Sequence, residues 1–123
     1  MKRLCLLVLG LVLSLPCLAQ HLVCNEMQGM MYVPMREKYI PINGEGRVFI
    51  HISGENAIVL NGKDKVECIV IQNTPNFITF INSSPVSTNM FTYFWKDNRL
   101  YYSKHSIVFN IQSQYTAECK EED

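Results

Sequence analysis

The chain has 123 residues, with eleven basic and eleven acidic side chains, and 48% of it is hydrophobic. That length suits one domain around one core. Lys and Arg are scattered singly, which disfavours a nucleic-acid partner, because phosphate backbones select clustered positive charge. The content of aromatic and β-branched residues is too high for a disordered chain.

In chain order, Met1 to Ala19 reads as a secretory signal. Lys2 and Arg3 make a positive start, Leu4 to Leu15 is one apolar run, and Cys17-Leu18-Ala19 offers small residues at the positions a signal peptidase inspects. The apolar run of about 12 residues falls short of the ~20 that a helix needs to cross a bilayer, so no transmembrane segment is expected. Lipid attachment at Cys17 is the lesser alternative, because Pro16 stands where a small residue is usual. The expected mature unit is a single β-domain over residues 20–123. It carries nine basic and eleven acidic side chains once Lys2 and Arg3 are removed. Such a protein is periplasmic or secreted and folds where disulfides persist.

Three cysteines then remain. Cys24 and Cys119 flank polar segments near the two ends, whereas Cys68 lies inside Val66-Glu67-Cys68-Ile69-Val70-Ile71, which reads as a buried strand. The favoured pairing is Cys24–Cys119, with Cys68 as a small hydrophobic side chain. Pairings of Cys68 with either of the others stay open.

Beyond residue 20 no stretch sustains helical spacing. Short β-rich runs alternate with turn signals roughly every eight to twelve residues, the pattern of a sandwich or barrel. The first run is His21 to Asn25. Met30 to Tyr39 is ambiguous, because Pro34 points to an edge or a bend. Arg47 to Ser53 alternates, with Val48, Ile50 and Ile52 on one face. The turn Ser53-Gly54-Glu55-Asn56 returns into Ala57 to Leu60, and Asn61-Gly62 is a hairpin signal of type I′. Val66 to Gln72, Phe77 to Ile81, Met90 to Trp95 and Arg99 to Ser103 follow. Ser106 to Ala117 is the last extended run, and Lys120 to Asp123 reads as a frayed tail. The fold expected is all-β, a small antiparallel barrel or sandwich of about eight strands. Closure of first strand on last would remove exposed edges and bring Cys24 to Cys119.

Chemistry-bearing constellations are sparse. His21, His51 and His105 each stand alone in sequence, although cross-strand pairing can bring His51 near His105. Glu26, Glu37, Glu45, Glu55 and Glu67 form no acid–base pair, and no nucleophile motif is present. Met27, Met30, Met31 and Met35 cluster but read as packing residues. No catalytic residue, metal or cofactor is implied. Asn82-Ser83-Ser84 matches a glycosylation acceptor of eukaryotic secretion. The aromatic hairpin places Phe91, Tyr93 and Trp95 on one face, with Met90, Thr92 and Phe94 on the other. Tyr101 and Tyr102 lie on opposite faces of the return strand. One reading has one face in the core and the other packed on Met30 to Tyr39. The other reading is an exposed aromatic patch suited to a protein partner.

Leu22-Val23-Cys24, Phe91-x-Tyr93, Arg99-Leu100-Tyr101-Tyr102 and Tyr115-x-x-x-Cys119 give an outline that resembles small exported all-β proteins of Gram-negative bacteria. Among them the periplasmic inhibitors of c-type lysozyme are small antiparallel barrels with a terminal disulfide. Their inhibitory loop carries Ser-Gly and then Tyr three residues after the Gly. Here Ser53-Gly54 is present and Ala57 stands at the third place. The resulting expectation is a non-enzymatic domain acting by binding, with Ser53, Gly54, Tyr93, Trp95 and Tyr101 as the candidate surface. The alternatives are an inhibitor of a secreted hydrolase, using the Ser53–Asn56 or Asn82–Asn89 loop, and a calycin-like carrier of a small apolar ligand. Inward side chains at Ile50, Ile58, Val70, Phe80 and Phe109 would fill such a carrier's interior.

Overall fold

The computed structural model describes residues 19–44 and 46–122. Segment 1–18, with most of the expected signal and Cys17, lies outside them, as does Glu45. The described residues form ten strands: β1 (Gln20–Cys24), β2 (Gln28–Val33), β3 (Lys38–Asn43), β4 (Val48–Ser53), β5 (Asn56–Asn61), β6 (Asp64–Asn73), β7 (Phe77–Ser83), β8 (Ser87–Phe94), β9 (Arg99–Ser106) and β10 (Ile111–Glu122). All neighbours run antiparallel in one sheet ordered β1-β4-β5-β6-β7-β8-β9-β10-β2-β3, and an added β1–β10 pairing closes it. The architecture is therefore a closed barrel of eight strands, β1 and β4 to β10, with β2 and β3 as two extra strands.

The two extra strands follow from the length of β10. Its Gln112–Thr116 half pairs with β2, and its Cys119–Glu122 half pairs with β1. β1 and β2 thus lie end to end along one partner, β4 backing the first and β3 the second. Pro34 opens a short 3-10 turn, Pro34–Arg36, and Glu37 completes it with a left-handed φ of 50°. Pro41 sits on β3, the last strand in the sheet order, where a missing N–H is best tolerated. Gly29 is fixed sterically, because a Cβ there would come within 1.8 Å of the Gln114 carbonyl oxygen.

Cys24 and Cys119 are Cα partners across the β1–β10 seam and are joined by a disulfide. Cys68 is free and buried. Inward residues alternate as a half-buried strand requires: Val48, Ile50 and Ile52 from β4, Ala57 and Val59 from β5, Phe91 and Tyr93 from β8. Across β7 to β10 and on to β2, register aligns Phe80, Phe91, Tyr102, Tyr115 and Gly29 in one inner row. The four rings stack at centroid distances of 5.3, 4.2 and 5.2 Å. Offset stacks of this kind add to area burial.

Four expectations need correction. The Lys120–Glu122 tail is paired with β1 through Glu122↔His21 rather than frayed. The run Ser106 to Ala117 is not one strand: residues 107–110 form a turn, and Phe109, expected inside, is 71% exposed. Ile58 lies on the outer wall, out of phase with buried Ala57 and Val59. Asn61 ends β5, so Gly62 takes the first central place of the hairpin with φ 64°. Glycine there is what a type II′ turn needs, in place of the expected type I′.

Candidate functional site: the open end and its apolar tip

The two ends of the barrel differ. The lower end carries the β4–β5, β6–β7 and β8–β9 turns and is filled by Tyr93 and Trp95, packed edge to face at 5.2 Å. Tyr93 donates its hydroxyl to Asn98 Oδ1 at 2.9 Å. This bond satisfies a buried group and helps hold Asn98, whose φ of 53° shapes the turn. Burial raises the Tyr93 hydroxyl to about 12, helped by the nearby Glu121 charge.

The upper end is open. A cleft of about 400 Å³ is lined by Asp64, Lys65, Asn82, Asn89 and Lys104, with Tyr102 and Tyr115 from the aromatic row below. Asn89 is buried and fully engaged. It accepts the Tyr102 hydroxyl on Oδ1, and its Nδ2 donates to Asn82 Oδ1 at 3.3 Å. Asn82 in turn donates to the Glu67 carbonyl at 2.8 Å. Desolvation holds the Tyr102 hydroxyl protonated well above the usual phenol range, so it stays a donor. The cleft wall is a preset hydrogen-bond array over an aromatic floor.

At its rim stands the β9–β10 turn. Ile107, Val108 and Phe109 are consecutive and all exposed, Val108 by 64%, and Val86 of the β7–β8 turn is exposed beside them. The tip is braced from three directions. Ile107 N–H donates to the Val86 carbonyl at 2.8 Å, and His105 Nε2 pairs with Asn110 Oδ1 at 3.0 Å. Asn110 takes the left-handed φ of 52° that turns the chain into β10. Under Val86, the Ser84 hydroxyl accepts the N–H groups of Val86 and Ser87 at 3.3 and 3.2 Å. Three successive apolar side chains in water are costly unless something covers them.

The residues singled out from sequence do not converge. Ser53 and Gly54 are exposed in the β4–β5 turn at the lower end, where Gly54 has φ 61°, and Ala57 beneath them is buried. Tyr93 and Trp95 are core residues, 0% and 7% exposed, and form no binding surface, contrary to the sequence expectation. The inward phase of β8 holds Tyr93 with Phe91, and Trp95 follows in the same phase as the first residue of the β8–β9 turn. Tyr101 is exposed on the outer wall against Phe94, at 5.6 Å edge to face, and shares a groove with Met30 and Tyr39 of the β2–β3 hairpin. His51 meets His21, not His105. Among the described residues no three His, Cys, Asp or Glu converge on a metal position. Burial pushes the Cys68 thiol up to about 11, which removes it as a nucleophile.

Sequence reading missed the tip. Its signal was present, since Ile107-Val108-Phe109 lies between Ser106 and Asn110, two residues that favour turns. The apolar run fits a strand equally well. The outer wall also exposes Phe49, Leu60, Ile69, Ile71 and Met90, but Lys65 and Glu67, paired at 3.6 Å, stand on the same strand face as Ile69. Phe49 and Leu60 are cross-strand neighbours, and Ile69 and Met90 flank Ile81 in one row, so the outer wall carries two small apolar strips interleaved with charge. Comparison with family models, curated proteins and solved structures finds no match to this chain.

Proposed function

We propose that this chain is a non-enzymatic, exported binding domain that grips a protein partner with the open end of its barrel. The observation that carries this reading is the rigid apolar tip Ile107–Phe109 beside a cleft whose polar wall is already oriented. An aromatic anchor next to fixed hydrogen-bonding groups is the composition of an interface hot spot. A braced tip also loses little conformational entropy on binding. Export is supported by the signal-like N-terminus and by the disulfide. Carriage of an apolar ligand is less well supported, because Ile50, Ile78, Phe80, Phe91 and Leu100 occupy the interior.

The test is affinity capture from periplasmic and host-secretion extracts with the disulfide-bonded protein and its Phe109→Ser variant. One stoichiometric protein bound by the wild type and reduced at least about tenfold by the variant supports the reading. A captured hydrolase, c-type lysozyme included, narrows it to inhibition. Equal capture by both proteins, or sedimentation with phospholipid vesicles in place of protein capture, overturns it.

A further inference from the structure

The geometry points to a surface site for a first-row divalent transition-metal ion, Zn²⁺ or Cu²⁺, held by the Nδ1 atoms of His21 and His51. The two residues are direct cross-strand partners on β1 and β4, and their side chains share the outer face. Their Nδ1 atoms are 3.1 Å apart, with ring centroids at 4.5 Å and planes tilted by 55°. Zn–N bonds of about 2.0–2.1 Å place two nitrogens about 2.9 Å apart at a right angle and about 3.3 Å apart at a tetrahedral angle. The observed separation falls between those two values. One ion can therefore bind both nitrogens once the two side chains rotate to aim their Nδ1 lone pairs at a common point beside the Nδ1···Nδ1 line.

The scaffold holds this pair in register. β1 is flanked by β4 on one side and β10 on the other, and the disulfide at Cys24–Cys119 locks it three residues beyond His21. On the β10 side His21 faces Glu122, which lines the same groove as both histidines. Among the described residues no third His, Cys, Asp or Glu converges with the two rings, so Glu122 acts only through its charge, which offsets part of the ion's. Beyond His51 the row continues through Ile58, and Phe49 borders the groove as an apolar wall. Imidazole nitrogens suit zinc and copper, whereas Mg²⁺ and Ca²⁺ require oxygen ligands. The remaining coordination positions open to solvent, so the site is an accessible pincer and not a closed structural cage. It lies on the lower half of the barrel wall and does not depend on the tip at the other end.

The experiment is calorimetric titration of the full disulfide-bonded protein with ZnCl₂ or CuSO₄ alone, followed by His21→Ala, His51→Ala and Glu122→Gln variants. His105→Ala serves as the control, its ring being bonded to Asn110 at the opposite end. One ion per chain is expected, with Kd raised at least about tenfold in each of the first two variants and less in the third. His105→Ala should leave Kd unchanged. Proton and metal compete for the same nitrogens, so binding should weaken on acidification, and the imidazole resonances of His21 and His51 should shift or broaden selectively. Equal far-UV spectra of all variants without metal separate ligand loss from unfolding. No saturable binding by the wild type, or a Kd in His21→Ala and His51→Ala equal to that of the wild type, overturns the site. Addition of MgCl₂ should produce no heat of binding, and a response equal to that of ZnCl₂ would also overturn it.

Discussion

Replacing both Cys24 and Cys119 by alanine removes a crosslink that spans 95 residues of sequence. For a loop of that length the chain-entropy relation gives roughly 4.7 kcal/mol at 25 °C. Residual compactness of the unfolded chain lowers that figure, so a loss of about 3–5 kcal/mol is expected. The folded barrel loses little else. β1 keeps its five register pairs to β4 and its four to β10, so the effect acts through the unfolded state. The single tryptophan, Trp95, is buried and reports unfolding by fluorescence. With an m-value of about 1.5–2 kcal/mol/M, the urea midpoint should fall by about 1.5–3 M, and m should rise as the unfolded chain expands. A midpoint change below about 0.5 M would refute the reasoning, because it would mean that seam pairing alone restrains the unfolded chain as strongly as the crosslink.

Other consequences are as direct. Phe91→Ala removes a buried ring stacked between Phe80 and Tyr102 and should cost about 3–5 kcal/mol in urea unfolding. Gly29→Ala must displace backbone at β2–β10. It should destabilise by at least about 1 kcal/mol and speed amide exchange at Gln112–Thr116. Cys68 and Tyr93 have thiol and hydroxyl groups raised by burial to about 11 and about 12. Both are protonated in folded and unfolded chains at neutral pH, and as pH rises the unfolded chain releases its protons first, the Cys68 thiol from about pH 8 and the Tyr93 hydroxyl from about pH 9. Stability should therefore be flat from neutrality to about pH 8 and then fall towards pH 12, as pH-dependent urea midpoints would show. For the same reason Cys68 should resist iodoacetamide at pH 8 until the protein is unfolded.

Much of the barrel was legible in the sequence because its strands are short and half-buried. β4 alternates strictly at Val48, Ile50 and Ile52, and the Ser53–Asn56 and Asn61–Asp64 turns carry glycines where the structure needs positive φ. The Cys24–Cys119 bond could be favoured because a closed meander brings the chain's ends together. Less legible was anything fixed by long-range register. Whether Tyr93 and Trp95 faced in or out depended on which face of β8 met the core, and both of its faces are apolar. The His21–His51 contact joins residues thirty positions apart, so local periodicity carries no trace of it. The tip was hidden for a different reason. Ile107, Phe109 and Ile111 continue a period-two pattern across a turn, so an exposed apolar turn and a buried strand look alike.

Amide hydrogen exchange of the captured complex against the free protein tests the central claim most directly. The account predicts new protection confined to His105–Ile111 and Ser84–Ser87, the two turns that form the rim. Protection at Ser53–Asn56 or along the outer face of β5 and β6, with the Ile107–Phe109 amides unchanged, would contradict it.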